Sequence, residues 1–320
     1  MDELSLNQLR QTFGDRLQEN VRLSNYTTIN IGGEADALLI VNSAQELEEK
    51  VKKLWNLNIP FLMLGCGSNV LISDKGLRSV VVINHAHNFK VDAHIEPNTV
   101  WAESGAILAS VARQVALRGL SGLEWASTIP GTVGGSVYGN AGAFGRDISC
   151  NFLLAEILQS KGKDNWQKDQ MEYSYRSSIL KKGHQEAVIL SATFQLEKAD
   201  FVQIKDRMEE YRQKRMSTQP AGPSMGSVFR NPSADKAARL IDSAGLKNTR
   251  IGKAEISAMH ANFIINTGGA KAEDVLNLMA LVQRTVEEKF NIHLEPEVQV
   301  LGDWDADSAK IIKNLQARQN

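Results

Sequence analysis

The chain has 320 residues, 42% of them apolar, which is enough for two or three compact lobes with buried cores. Its 36 basic and 37 acidic residues nearly cancel, so no global field draws it to nucleic acid or an anionic membrane, and an anionic ligand has to be caught locally. Only Cys66 and Cys150 occur, with no Cys-x-x-Cys pair, and the histidines show no i, i+4 pairing; this argues against a disulfide framework and against a metal site, and fits a reducing compartment.

The opening Met1-Asp2-Glu3-Leu4-Ser5 puts acids where a secretory signal needs basic residues, and no long uncharged apolar run follows, so a soluble, untargeted, cytoplasmic protein is expected. Asp36 to Val41 reads as a short strand. Ser43-Ala44-Gln45-Glu46 is a capping-box pattern that opens a helix with Leu47, Val51, Leu54 and Trp55 on one face. Pro60 to Leu64 reads as a buried strand, which gives a strand, helix, strand beginning. Ser79 to Ile83 predicts another strand, and Ile107, Leu108, Val111 and Val115 line a helix stopped at Gly119. From Leu120 to Gly145 glycine and small residues are dense, yet the segment is too apolar for a linker and predicts a tightly folded binding loop. Val188, Leu190, Ala192, Phe194 and Leu196 recur at the strand period. Phe201 to Arg215 turns charged and helical, Gln219-Pro220-Ala221-Gly222-Pro223 breaks the chain, and the main domain boundary falls near residue 200. The rest predicts a helix from Lys236 to Ser243 ended by Gly245, a strand around Phe263-Ile264-Ile265, and a long helix striped by Val275, Leu278, Met279, Val282 and Val286. A strand at Val298-Gln299-Val300-Leu301 follows.

Three motifs could carry chemistry. In Leu64-Gly65-Cys66-Gly67-Ser68-Asn69 two glycines follow a strand and would let backbone N–H groups approach a phosphate, although a plain strand-to-strand turn explains the loop equally well. It lacks the third, helix-opening glycine of a Rossmann fingerprint. Ile129-Pro130-Gly131-Thr132-Val133-Gly134-Gly135, with Gly139-Asn140-Ala141-Gly142-Ala143, points to backbone wrapped around something flat or anionic; close packing between two sheets is the alternative. In Gly226-Ser227-Val228-Phe229-Arg230-Asn231-Pro232 the serine is either a cap or a functional hydroxyl, and the spacing Gly-x-Ser-x-Gly of a nucleophile elbow is absent. Arg176, between aromatic neighbours, could meet a carboxylate or phosphate or simply stack on Tyr175. Glu297, beside Pro296 at the mouth of an apolar strand, is partly desolvated there or else a surface charge. His260 reads as a polar contact near the second-lobe strand.

In order, Thr27 to Gly33, Gly65 to Asn69, Ile129 to Gly135, Asn140 to Ala143, Tyr175-Arg176, Gly226 to Pro232, His260-Ala261-Asn262-Phe263 and Glu295-Pro296-Glu297-Val298 resemble the UDP-N-acetylenolpyruvoylglucosamine reductase family, over a span from about Asn25 to Gly302. The short interval between Arg176 and Ser227 resembles the branch without the extra substrate-covering insertion. The resemblance implies an α+β fold: a two-subdomain FAD-binding region of vanillyl-alcohol-oxidase (PCMH) type, followed by a smaller α+β substrate-binding domain. It places an N-terminal helical segment at 1–23, the FAD region at 24–199 with subdomains at about 24–85 and 86–199, the substrate domain at 200–305 and a C-terminal tail at 306–320.

It further implies noncovalent FAD held by Gly65, Cys66, Gly67, Ser68, Asn69, Ile129, Pro130, Gly131, Thr132, Gly134, Gly135, Asn140, Ala141 and Gly142, with NADPH as hydride donor and UDP-N-acetylglucosamine-enolpyruvate as substrate. Ser227 matches the proton donor, and Arg176 with Glu297 the pair that polarises the substrate carboxylate. Tyr175, Arg215, Arg230 and Asn231 are candidate substrate contacts, and among the basic residues Arg215, Arg230 and Arg239 are candidates for the UDP phosphates. Cys66 stands where a small residue, often glycine, is expected, and Arg230 where lysine is usual. Two rival readings stay open. One is another FAD oxidoreductase of the same fold, which a histidine or cysteine tether to the flavin would mark; the other is a non-catalytic nucleotide-sugar binding protein, which needs no combination of Arg176, Ser227 and Glu297.

Overall fold

The computed structural model describes residues 1–94, 96–183 and 186–317. The apolar run Glu34–Val41 is a strand whose side chains are buried almost without alternation, as a strand covered on both faces requires. It pairs in parallel with Leu77–Asn84, which pairs in parallel with Phe61–Leu64. The crossover between Glu34–Val41 and Phe61–Leu64 is the helix Ala44–Asn56, capped by Ser43, whose hydroxyl accepts the Glu46 N–H at 3.1 Å. Leu47, Val51 and Leu54 of that helix share a core with Leu9 and Phe13 of the first helix, Glu3–Phe13. The segment 1–23, expected to be helical, is not so throughout, because Gln18–Arg22 pairs antiparallel with Glu34–Val41 as the edge of this sheet.

A second, antiparallel sheet runs in the order Gly162–Gln167, Phe152–Gln159, Ala187–Lys198, Asn98–Glu103, Phe89–Asp92. The helices Leu108–Ala116 and Val133–Gly139 pack against it around the fully buried Trp125. Val133–Gly139 corrects the expectation of a loop from 120 to 145: Thr132 caps a helix there by accepting the Gly135 N–H at 3.3 Å.

Helix Phe201–Thr218 lies on the first lobe. Its Tyr211 ring stacks on Phe144 at 4.6 Å and Arg207 reaches Glu124 at 3.2 Å. The remaining core forms where Ala237–Ser243 and Ala272–Phe290 cover a small sheet of Arg250–Ile251, Ala254–Ile256 and Ile264–Asn266. Residues 306–316, expected as a tail, are a helix, Ala306–Gln316, that buries Leu315 in this core; residues 318–320 lie outside the described ones.

A strand pair, an apolar contact and a hydrogen bond join the lobes. Gln299–Leu301 pairs in parallel with Val70–Ile72, Ile29 and Ile31 enter the second core, and the Asn266 amide donates to the Ile29 carbonyl at 2.9 Å. The chain thus brings the glycine loop that precedes Val70 to the residue that precedes Val298. No helix among the described residues is long and apolar enough to cross a membrane.

Candidate active site

The two glycine-rich segments, sixty residues apart in sequence, face each other. A Cβ on Gly65 would lie 2.5 Å from Thr132 Oγ1, so the loops approach there as only glycine allows, and one on Gly131 would meet Ser68 Oγ at an ordinary contact distance of 3.4 Å. Gly67 is left-handed at φ 58° and backs onto Tyr26, and its carbonyl accepts the Thr28 N–H at 3.1 Å. Gly135 is exposed, and a Cβ there would meet Thr132 Oγ1 at 3.5 Å. The hydroxyls of Ser127 and Thr128 and the Trp125 indole nitrogen, just before Ile129, are buried without hydrogen-bond partners among the described residues. Orphaned donors and acceptors beside a cradle too tight for a Cβ fit a polar, planar ligand such as a flavin nucleotide.

Other expected cofactor residues take different tasks. Gly134, expected to face a ligand, faces the protein: its N–H donates to Ser104 O at 2.7 Å and a Cβ would meet Ser104 Cβ at 2.8 Å. The Asn140 side chain is spent on Asp147, Ser149 and the Ser174 carbonyl, the Ala141 N–H bonds Ser136, and the Gly142 carbonyl accepts from Arg176 at 2.7 Å. Asn69 donates to the Glu297 carbonyl at 3.2 Å and so ties the cradle to the second lobe. Cys66 is half-buried, and burial pushes its thiol up.

Ser174 and Ser177 exchange two backbone hydrogen bonds of 3.0 Å and close a tight turn with Tyr175 and Arg176 at its tip. Arg176 is left-handed there, at φ 55°. Its Nε lies 2.9 Å from Glu297 Oε1, yet the N–H is not aligned into a hydrogen bond, so the fork keeps donors for another acceptor. Tyr175 is 52% exposed and its ring lies 5.3 Å from the guanidinium, the stacking that the sequence allows. Burial pushes the Glu297 carboxyl up, and Arg176, Lys181 and Arg230 oppose that shift.

Ser227 is carried on an extended segment paired with the Glu297 strand: Glu297 N–H donates to Val228 O at 2.8 Å and Arg230 N–H to Glu295 O at 2.9 Å. Asn262 holds the other edge, accepting the Phe229 N–H at 2.9 Å and donating to the Phe229 carbonyl at 2.8 Å. Gly226, left-handed at φ 74°, sets the turn beside Ser68. Among the described residues the Ser227 hydroxyl has no hydrogen-bond partner, so a cap is not its role here. The cap of that region is Asn231, whose Oδ1 accepts the Ala237 N–H at 3.0 Å.

Of the expected phosphate contacts, Arg215 is half-buried with no acid within ion-pair distance among the described residues, and burial pushes its guanidinium down. Arg230 reaches Glu295 at 3.5 Å with its Nε buried and unpaired. Arg239 is bound to Asp235 on the outer face of its helix, away from this cluster. His260 packs edge-on against Phe263 at 4.8 Å. Lys181 was not singled out by sequence; a lysine four residues past an Arg-Ser turn carries no signal until the fold places it.

Residues 218–301 match the family described as UDP-N-acetylenolpyruvoylglucosamine reductase, C-terminal domain, and residues 35–163 match FAD binding domain. UDP-N-acetylenolpyruvoylglucosamine reductases of Clostridium novyi and Bacillus subtilis are 41% and 39% identical to this chain, covering 90% and 94% of it and 93% and 99% of their own lengths. The crystal structure of the enzyme of that name from Thermus caldophilus superposes with a TM-score of 0.76 at 33% identity, over 89% of this chain and 98% of that one. The fold is the expected α+β one, an FAD-binding region followed by a reductase C-terminal domain, and the chain belongs to the UDP-N-acetylenolpyruvoylglucosamine reductase family.

Proposed function

We propose that the protein catalyses the NADPH-dependent reduction of UDP-N-acetylglucosamine-enolpyruvate to UDP-N-acetylmuramate, a cytoplasmic step of peptidoglycan precursor synthesis that serves cell-wall growth, cell shape and division. The observation that carries this reading is the junction where the Arg176–Glu297 pair, the Ser227 segment and the glycine cradle are joined by hydrogen bonds. Residues 65–69 and 129–135 would hold FAD noncovalently, and the flavin would supply the hydride chemistry between NADPH and the substrate.

As the terminal methylene of the enolpyruvyl group gains a hydride, its π electrons move to the carbon bearing the carboxylate. Negative charge then grows on that carboxylate, and the preorganised Arg176 fork stabilises it. Glu297, 2.9 Å from the guanidinium Nε, holds the fork in place for that carboxylate. The unpartnered Ser227 hydroxyl gives its proton to the carbanionic carbon and regains one from solvent, so the balance is NADPH plus one proton in, NADP⁺ and a lactyl ether out. Arg215, a cation without a partner acid among the described residues, suits the UDP diphosphate. Two free thiols, Cys66 and Cys150, suit a reducing compartment.

The test is anaerobic NADPH oxidation. It should require the enolpyruvyl sugar nucleotide, and acid precipitation should release the flavin. A flavin that stays attached to the protein, or oxidation indifferent to the sugar nucleotide, overturns the assignment.

A further inference from the structure

Lys181 ends the buried side of the short helix Ile179–Lys182, which Ser178 anchors by donating to the Tyr138 carbonyl at 2.7 Å. From there its ammonium donates to the Arg176 carbonyl at 3.2 Å. That carbonyl belongs to the left-handed residue at the tip of the 174–177 turn, so the bond fixes the least favourable backbone of the site. No carboxylate lies within ion-pair distance of Lys181 among the described residues, and burial, Arg230 and Arg176 all push its ammonium down, against the single opposing pull of Glu297. A half-buried lysine held among two arginines disfavours its own charge, and a purely structural role offers nothing in return.

We propose that Lys181 is a positioning residue of the substrate site: it locks the turn that aims Arg176 and is the third cation set around Glu297. This deepens the reductase reading above and rests on it. Arg176, Lys181 and Arg230, the last shared with Glu295 at 3.5 Å, leave a net positive charge around Glu297. The enolpyruvyl carboxylate brings one negative charge, and hydride addition to the methylene develops a second before the carbon is protonated. A net positive site stabilises the substrate more at its most charged point than in its ground state, which is the condition for accelerating the step rather than tightening binding alone.

The test compares Lys181→Met and Lys181→Arg with the wild-type holoenzyme by rapid mixing without oxygen. In the Met variant, reoxidation of reduced flavin by the enolpyruvyl sugar nucleotide should slow roughly 10- to 100-fold, the cost of a lost charge and a misaimed Arg176. Flavin content, melting temperature and the rate of flavin reduction by NADPH should stay within about twofold or a few degrees. Lys181→Arg keeps the cation and should recover most of the lost rate. Reoxidation of the Met variant within twofold of wild type overturns the proposal, as does equal damage to the NADPH step and to stability with no recovery in the Arg variant, since both mark Lys181 as packing only. A wild-type protein whose reduced flavin the substrate cannot reoxidise overturns the reductase reading, and this proposal with it.

Discussion

The cradle between residues 65–69 and 129–135 is made of backbone: glycines press against Thr132 and Ser68, and the groups left unpaired are short hydroxyls and an indole nitrogen. The junction around Glu297 is made of long charged side chains from four segments of the two lobes, whose strands Gln299–Leu301 and Val70–Ile72 pair. The first region is organised by shape and the second by charge. A substitution in the cradle should therefore act on flavin retention, and one in the junction on the step that consumes reduced flavin. The two readouts are separable in one protein.

The largest separation is expected for Ser227→Ala. Its hydroxyl has no hydrogen-bond partner among the described residues, so no hydrogen bond of the fold depends on it, and flavin reduction by NADPH should stay near wild type. Flavin reoxidation by the enolpyruvyl sugar nucleotide should slow about 10²- to 10⁴-fold, the range for losing a positioned proton donor. Stopped-flow absorbance of the two half-reactions decides it, and a crippled NADPH step would instead move Ser227 out of the proton path. Next comes Arg176→Lys, which keeps the charge but loses the planar fork and its bond to the Gly142 carbonyl. Turnover should fall on the order of 10²-fold with flavin content unchanged; unchanged turnover at saturating substrate would leave Arg176 a structural ion pair.

This division also governs what the sequence discloses. Backbone-built parts are local: the Ser43 cap and the helix after it, the strand at 188–196 and the glycines at 65–67 are legible because each is written in consecutive residues. The strand Gly162–Gln167 is not, since it is a polar edge strand with no apolar alternation to read. The helix Val133–Gly139 was hidden by its glycines, whose low propensity is overridden by the Thr132 cap and by packing against Trp125. Lys181 was hidden for the reason that makes the junction work: its neighbours Glu297 and Arg230 are far away in the chain. The family resemblance linked Arg176 to Glu297, but only the fold shows what surrounds them.

The cradle's own prediction pairs two adjacent glycines. Valine at Gly135 projects from an exposed position with room on the protein side, so folding should survive while flavin affinity drops by about 10- to 100-fold, equivalent to 1–3 kcal/mol of overpacking against the ligand. Valine at Gly134 drives into Ser104 and should lower the melting temperature itself. Flavin-to-protein ratio after dialysis, read beside a thermal melt, distinguishes them; equal flavin loss at equal stability would place both glycines on the ligand.

The smallest contrast sharpens the charged half. Arg215 and Arg239 are both arginines near the second lobe, but one is half-buried without an acid and the other sits on an exposed helix face with Asp235 four residues back. An exposed pair of this kind shares its charge with solvent and a neighbour, and has little left for a ligand. A desolvated, unpaired guanidinium gains far more from a phosphate, because the ligand replaces hydration that the fold has already removed. Arg215→Met should raise the KM for the sugar nucleotide roughly 10- to 100-fold, the worth of one charge-assisted hydrogen bond, with the NADPH half-reaction little changed. Arg239→Met should shift the same KM by less than about twofold and leave the melting temperature where it was. Steady-state kinetics on the two variants side by side is sufficient. If Arg239→Met raises KM as much as Arg215→Met, the diphosphate runs along the outer face of helix Ala237–Ser243, and the unpaired Arg215 is not its anchor.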